Sequence, residues 1–130
     1  MLNPNAQKWV DALRSGKYVQ GHYRLHPTDD TFCCLGVACD LFAKEHPLLG
    51  EWRYGNFLTP RDDSRSTLAL EVADWLGMRR EPGFTYLHNG YARYGNATGQ
   101  NLVQDNDTRR HTFDEISDII EAHQEELFNT

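Results

Sequence analysis

The sequence predicts an α+β fold: one compact domain over residues 1–130, with three to four helices packed on a small antiparallel sheet. Three observations carry this. Apolar residues recur at helical spacing in three separate windows. Short β-rich runs broken by turn formers lie between them. The length of 130 residues suits one domain, and a hydrophobic fraction of 39% with a charged fraction of 25% is that of a globular chain rather than a disordered one.

The first helix runs from Asn5 to Ser15, with Ala6, Trp9, Val10 and Leu13 on one face, Asn3 or Asn5 as cap, and Gly16 as its stop. Two strands follow, Tyr18 to Leu25 and Thr31 to Cys33, joined by His26-Pro27-Thr28-Asp29-Asp30. A second helix covers Leu35 to Lys44 and ends before His46-Pro47, because a residue preceding proline resists the α region. Trp52 to Leu58 reads as a short strand around Gly55-Asn56. Asp62-Asp63-Ser64-Arg65-Ser66 supplies capping candidates for a third helix with Leu68, Val72, Trp75 and Leu76 on one stripe and Gly77 at its end. Phe84 to His88 reads as another strand, and Asn89 to Gly99 as a long Gly- and Asn-rich loop of the kind that often carries function. Thr112-Phe113-Asp114-Glu115 fits a capping box, opening a last helix with a stripe of Phe113, Ile116, Ile119, Ile120 and Leu127.

Composition bounds the function. No apolar run approaches the roughly 20 residues that cross a bilayer, so no membrane role is expected. Met1-Leu2-Asn3-Pro4-Asn5 lacks the basic start and apolar stretch of a signal peptide, which places the chain in the cytoplasm. Thiols stay reduced there, and the three cysteines, two of them adjacent, do not suggest a disulfide framework. The net charge of −6 is uneven: eleven Lys/Arg match eleven Asp/Glu up to Gln104, and the whole excess lies beyond it. That stretch reads as a solvated helix face, or else as an acidic surface for a basic partner. No concentrated basic footprint exists, which argues against general nucleic-acid binding.

Four segments together resemble a group of small uncharacterised proteins encoded by bacteriophages and prophages. They are Trp9 to Gln20, Cys33-Cys34-Leu35-Gly36-Val37-Ala38-Cys39-Asp40-Leu41, the helix bearing Val72, Trp75, Gly77 and Met78, and Asn106-Asp107 followed by Thr112 to Glu121. The second is similar to that group's central motif, an aromatic followed by CCLGVLCDL. The last is similar to its closing ND … F-x-E-I-A-D-x-I-E. Ala69 stands where proline is common, Ser117 replaces Ala, and Asp105 occupies a position that is frequently apolar. The resemblance implies phage origin, a host-cell location and a shared fold; it implies no activity.

Three sets of residues compete for a functional role. Cys33 or Cys34 at a helix start, with His88 and Asn89 or Asn106, has the residue types of a thiol hydrolase, in which a histidine takes the thiol proton and an amide orients the ring. Packing is the competing reading, since free cysteines are among the most buried residues. Metal binding has no support, as two adjacent cysteines plus Cys39, with His22 and His26, give no ligand-pair spacing. No cofactor is expected. Arg14, Ser15, Lys17, Tyr18 and Gln20 combine a guanidinium, small donors and an aromatic, and Tyr91, Arg93 and Tyr94 in the Gly-rich loop repeat the combination. Stacking plus a cation holds a nucleotide-sized anion, so these eight form the candidate ligand site. The alternative for Tyr18 is the core, and for Arg14 a surface ion pair.

The reading that follows is a non-enzymatic binding protein. It is expected to inhibit host defence by sequestering a nucleotide-type signalling molecule or by binding a host protein. A small Cys/His thiol hydrolase and a phage structural or assembly protein are the alternatives. A homo-oligomer is compatible with all three.

Overall fold

The computed structural model describes residues 1–80, 88–95 and 100–129. Among these residues, six helices and two small sheets make up the α+β fold. In chain order they are α1 (Pro4–Arg14), β1 (Val19–Gln20), β2 (Thr31–Phe32), α2 (Cys34–Glu45), β3 (Glu51–Arg53), β4 (Asn56–Leu58), β5 (Asp63–Ser64), α3 (Leu70–Trp75), α4 (Leu102–Asp107), α5 (Phe113–Ala122) and α6 (Gln124–Leu127).

Helix α1 buries Ala6, Trp9, Val10 and Leu13, the expected stripe, and Asn3 caps it by accepting from the Ala6 amide at 2.9 Å. Its start is tied to the end of α3. Asn3 Nδ2 and Asn5 Nδ2 donate to the Leu76 and Trp75 carbonyls, both at 2.9 Å, satisfying acceptors that a helix end leaves open. Trp9 Nε1 donates to the Cys34 carbonyl at 2.9 Å, joining α1 to the first turn of α2. Gly36 in that turn has no room for a side chain, because a Cβ would collide with the Leu25 carbonyl oxygen. The same oxygen accepts from the Cys33 amide at 3.1 Å. Glycine here lets the 21–32 segment lie directly against α2.

The expected antiparallel sheet divides in two. β3, β4 and β5 are antiparallel, with Trp52 opposite Phe57. β1 and β2 are parallel and only two residues long, with Val19 opposite Thr31. The strand expected from Tyr18 to Leu25 stops after Gln20 for local reasons. Tyr23 has φ +74°, which turns the chain, and Leu25 is fully buried. The chain therefore loops through 21–30 and re-enters in its original direction. The run expected as one strand from Trp52 to Leu58 is a hairpin, with φ +53° at Tyr54 and +81° at Gly55. Two positive φ values match the twist of tight hairpin turns.

Helix α3 starts at Leu70, later than the capping candidates suggest. Its N-cap, Ala69, makes no side-chain cap bond, and Asp62 instead accepts from the Leu70 amide at 2.7 Å. Thr112 and Glu115 form the expected capping box of α5, and Phe113, Ile116 and Ile120 are buried. Ile119 is half-buried and Leu127, on α6, is fully buried. Of the strand expected at Phe84 to His88, only His88 is among the described residues. Among the described residues, no helix is long and apolar enough to cross a membrane.

Candidate functional site

All three thiols are buried: Cys33 is 5% exposed, Cys34 and Cys39 not at all. Cys33 is the N-cap of α2, its Sγ accepting from the Gly36 amide at 3.4 Å. Two effects oppose each other there. Burial raises the thiol pKa, and the helix-start amides of Gly36 and Leu35 lower it. Burial wins and pushes Cys33 up to about 12, while Cys34 and Cys39 lie well above their ordinary value for the same reason. These are neutral packing groups at physiological pH, not thiolates.

The other members of the thiol-hydrolase set are engaged elsewhere. His88 Nε2 lies 3.0 Å from the Leu68 carbonyl, so that nitrogen carries the proton and cannot accept one. Asn106 is fully buried; its Oδ1 accepts from Gln20 Nε2 at 2.8 Å and the Cys34 amide at 3.2 Å, and its Nδ2 donates to the Gly21 carbonyl at 2.9 Å. Asn89, also buried, holds its own loop by accepting from the Arg93 amide at 3.0 Å. Cys33, Cys34, His88 and Asn106 thus form no hydrogen-bonded nucleophile–base pair among the described residues. Nor is any group of three or more His, Cys, Asp or Glu side chains there placed to hold a metal ion.

The eight expected ligand residues separate. Arg14 turns to α5, where it bonds Asp118 and Glu121 at 2.7 Å each, and hydrogen bonding to Glu121 and Asp118 raises its pKa. Gln20 holds Asn106 and the His111 carbonyl, both at 2.8 Å, and so braces β1 against α4. Tyr94 is buried at 8% exposure, with its hydroxyl 2.6 Å from Asp105. Arg93 is exposed and its backbone bridges to Asn101, and Tyr91 is half exposed. The loop at 89–95 is therefore fastened to α4 and contributes no wall to the site below; residues 96–99 of that loop lie outside the described ones.

Ser15, Lys17 and Tyr18 do come together, in an open groove of about 640 Å³ between the end of α1 and the outer face of α2. Phe32, Asp40 and Lys44 complete its working surface. Asp40 organises it. Its carboxylate accepts from the Tyr18 hydroxyl at 2.6 Å, Lys44 Nζ at 3.0 Å and Trp52 Nε1 at 3.1 Å. Burial raises the Asp40 pKa, but these three hydrogen bonds and the Lys44 charge outweigh it and hold the carboxyl below its usual range. Lys44 stands 5.5 Å from the centre of the Tyr18 ring. Tyr18 meets Phe32 edge-on at 5.2 Å, and Phe32 stacks on His26 at 4.0 Å and touches Trp52 at 5.9 Å. The groove is thus a rigid aromatic wall beside two ammonium groups. Of these, Lys17 has no ion-pair partner among the described residues.

Asp40, Lys44, Phe32 and Trp52 were not singled out as site residues by sequence reasoning. The Asp40/Lys44 spacing of four on a predicted helix is the signal that marks them as one face, with Asp40 inside the central motif and Lys44 just beyond it. The departure at Asp105 also has an explanation here. This buried acid replaces an apolar side chain and is received by the Tyr94 hydroxyl and by Arg109 Nη1 at 3.0 Å. No curated protein and no solved structure matches the chain. Residues 1–124 match the family described as Domain of unknown function (DUF8296), and the chain belongs to that family.

Proposed function

We propose that this chain is a phage-encoded, non-enzymatic binding protein acting in the host cytoplasm as an inhibitor of host defence. Its ligand in this reading is a nucleotide-type signalling molecule held in the α1–α2 groove. The observation that supports it is the groove itself: a volume of about 640 Å³, within the ~300–1,000 Å³ usual for small-molecule sites, with aromatic rings beside Lys17 and Lys44. A base has Tyr18 and Phe32 to lie against. Phosphate oxygens have the Lys17 ammonium and the third Lys44 proton, the other two being given to Asp40 and Tyr18. The phage origin rests on the resemblance of the four sequence segments. The neutral, buried thiols speak against the hydrolase alternative.

A host protein is the second reading, favoured by one feature. The groove lining carries Asp11 and Asp40 against Lys17 and Lys44, a balance that suits a mixed protein surface as well as an anion. Calorimetric titration with AMP, GMP and cyclic dinucleotides separates the two. Lys17→Ala is expected to weaken nucleotide binding about tenfold, the loss of one charge-assisted contact. Cys33→Ser, which keeps a capping acceptor at the start of α2, is expected to retain full binding and full inhibition. Loss of function in a folded Cys33→Ser protein would revive the thiol hydrolase. A chain that binds none of these nucleotides but captures a host protein through Lys17 would establish the second reading, and co-purification with virions would point to the assembly role.

A further inference from the structure

On the other side of the wall formed by Phe32 and Trp52 lies a second pocket, of about 450 Å³, bounded by Arg24, His26, Asp29, Trp52, Tyr54 and Gly55. It shares no lining residue with the α1–α2 groove. Three features of it point to a ligand.

Arg24 is the first. Its Nη2 donates to Asn56 Oδ1 at 3.0 Å, a neutral partner, and no carboxylate pairs with it among the described residues. Its Nε is buried without a hydrogen-bond partner among the described residues. Buried guanidinium donors nearly always have an acceptor, and the Arg24 side chain that carries this one lines the pocket.

The second is the fixed ring pair. His26 Nδ1 lies 2.7 Å from the Thr31 carbonyl, and the His26 ring stacks on Phe32 and meets Trp52 at 4.8 Å. Trp52 is itself held by the bond from its Nε1 to Asp40. Neither ring needs to reorganise to receive a flat ligand.

Tyr54 is the third. It sits at the first central position of the hairpin turn with φ +53°, where glycine or asparagine is preferred. Its side chain is 96% exposed, so burial does not offset the strained backbone. The tip behind it is packed closely, since a Cβ on Gly55 would lie 3.0 Å from the His26 carbonyl oxygen. A tyrosine kept in an unfavourable conformation and left uncovered at a pocket mouth is placed to touch something else.

We propose that this pocket binds one flat aromatic anion, its ring against Trp52 and Tyr54 and its phosphate or carboxylate oxygens on the Arg24 guanidinium. A guanidinium fork suits either anionic group, and aromatic faces suit any planar ring. Asp29 on the rim selects ligands that also carry a donor, such as an amino or hydroxyl group.

The test is a titration followed by NMR of the Arg24 Nε–H group in the whole protein. AMP is the phosphate probe and 4-aminobenzoate the carboxylate probe; adenosine and inorganic phosphate each supply half of the AMP chemistry. The expected result is a shift of the Arg24 Nε–H on adding AMP, 4-aminobenzoate or both, with adenosine and inorganic phosphate at least tenfold weaker than AMP. Whichever acid binds tighter identifies the anionic group. Tyr54→Gly relieves the turn, so the protein is expected to keep or raise its melting temperature while losing about tenfold in affinity. Arg24→Lys keeps the charge but lacks the fork and the Nε–H reporter, so its affinity is read by calorimetry, where it is expected to lose the binding as well. An Arg24 Nε–H that no probe moves overturns the proposal. So does inorganic phosphate binding as well as AMP, which would mark an adventitious ion only, and so does unchanged affinity in Tyr54→Gly. Lys17→Ala separates this site from the α1–α2 groove: the Arg24 response is expected to be unaffected by it, whatever the groove binds.

Discussion

Two clusters in this molecule have nearly the same composition and opposite surroundings. In one, Asp40 on α2 accepts from Tyr18 at 2.6 Å and from Lys44, four residues on, at 3.0 Å. In the other, Asp105 on α4 accepts from Tyr94 at 2.6 Å and from Arg109, also four residues on, at 3.0 Å. The first opens on a groove, with Asp40 partly exposed and Lys44 largely so. In the second the acid and the tyrosine are sealed, Asp105 at 1% exposure and Tyr94 at 8%, and only Arg109 reaches solvent. In the sealed cluster the tyrosine fastens the 89–95 loop to α4, and nothing is left for a ligand. In the open one the same atoms fix a ring and an ammonium at the edge of a cavity. Chemistry alone does not distinguish a brace from a binding surface; access does.

If that distinction holds, the two acids differ most sharply when removed. Asp105→Ala leaves a buried hydroxyl without its acceptor and deprives Arg109 of this carboxylate. It is expected to cost about 3–5 kcal/mol, whereas Asp40→Ala, whose partners can turn to water, should cost about 1–2 kcal/mol. Urea denaturation measures both, and equal losses would erase the contrast. Asn106→Ala extends the test to the next residue of α4. With the Cys34 amide, the Gly21 carbonyl and Gln20 left without their common partner, about 3 kcal/mol is expected to go, lowering the melting temperature by roughly 10 °C.

The buried thiols should respond to alkali, and from a lower pH than Tyr18 in the groove, whose pKa burial also raises above its ordinary 10.0. Each has its folded pKa raised, so each keeps its proton at pH values where the unfolded chain has lost it. The unfolded state then binds fewer protons, and stability falls as pH rises. The decline starts near the unperturbed value of 9.0 and, for Cys33, runs to about 12. While a thiol is in that window it contributes a loss of about 1.4 kcal/mol per pH unit. Thermal melts from pH 8 to 11 read this directly. Cys33→Ser should flatten the slope by its own share, and an unchanged slope in that variant would show that Cys33 is accessible after all.

What the sequence made legible was what local rules control. The Thr112 capping box, the α1 stripe of Ala6, Trp9, Val10 and Leu13, and the stop at Gly16 each depend on neighbours within a few residues, and each is present. Helices α4 and α6 were not legible, because six and four residues are too few to display a period. Asn101 caps α4, but Asp105 holds it through Tyr94 in the preceding loop, and Asn106 through Gln20, Gly21 and Cys34, far along the chain. The parallel β1–β2 pair depends on a turn at Tyr23 that no tyrosine announces. At the site, Ser15, Lys17 and Tyr18 were found because they are adjacent. Tyr94 and Gln20 carried the same chemical promise, and only tertiary packing shows that Asp105 and Asn106 receive them.

The smallest expected effect is also the most specific. Tyr18→Phe keeps the ring against Phe32 and removes the hydroxyl, which donates to Asp40 and accepts from Lys44 Nζ, while the Asp40 carboxylate still has Lys44 and Trp52. Stability at neutral pH is expected to fall by less than about 1 kcal/mol, since the site is open to water. The hydroxyl nevertheless contributes the largest of the hydrogen bonds that lower the Asp40 pKa. In the variant that carboxyl should titrate at higher pH, which carbon-detected NMR of Asp40 reads without reference to folding. The sign in the stability curve follows. A lowered folded pKa gives stability that is present above the unfolded value of ~3.9 and is lost as pH falls through the folded one, so the variant should lose less on acidification. An Asp40 titration unmoved by Tyr18→Phe would mean that the hydroxyl does not organise the groove. The open cluster would then owe its geometry to Lys44 and Trp52 alone.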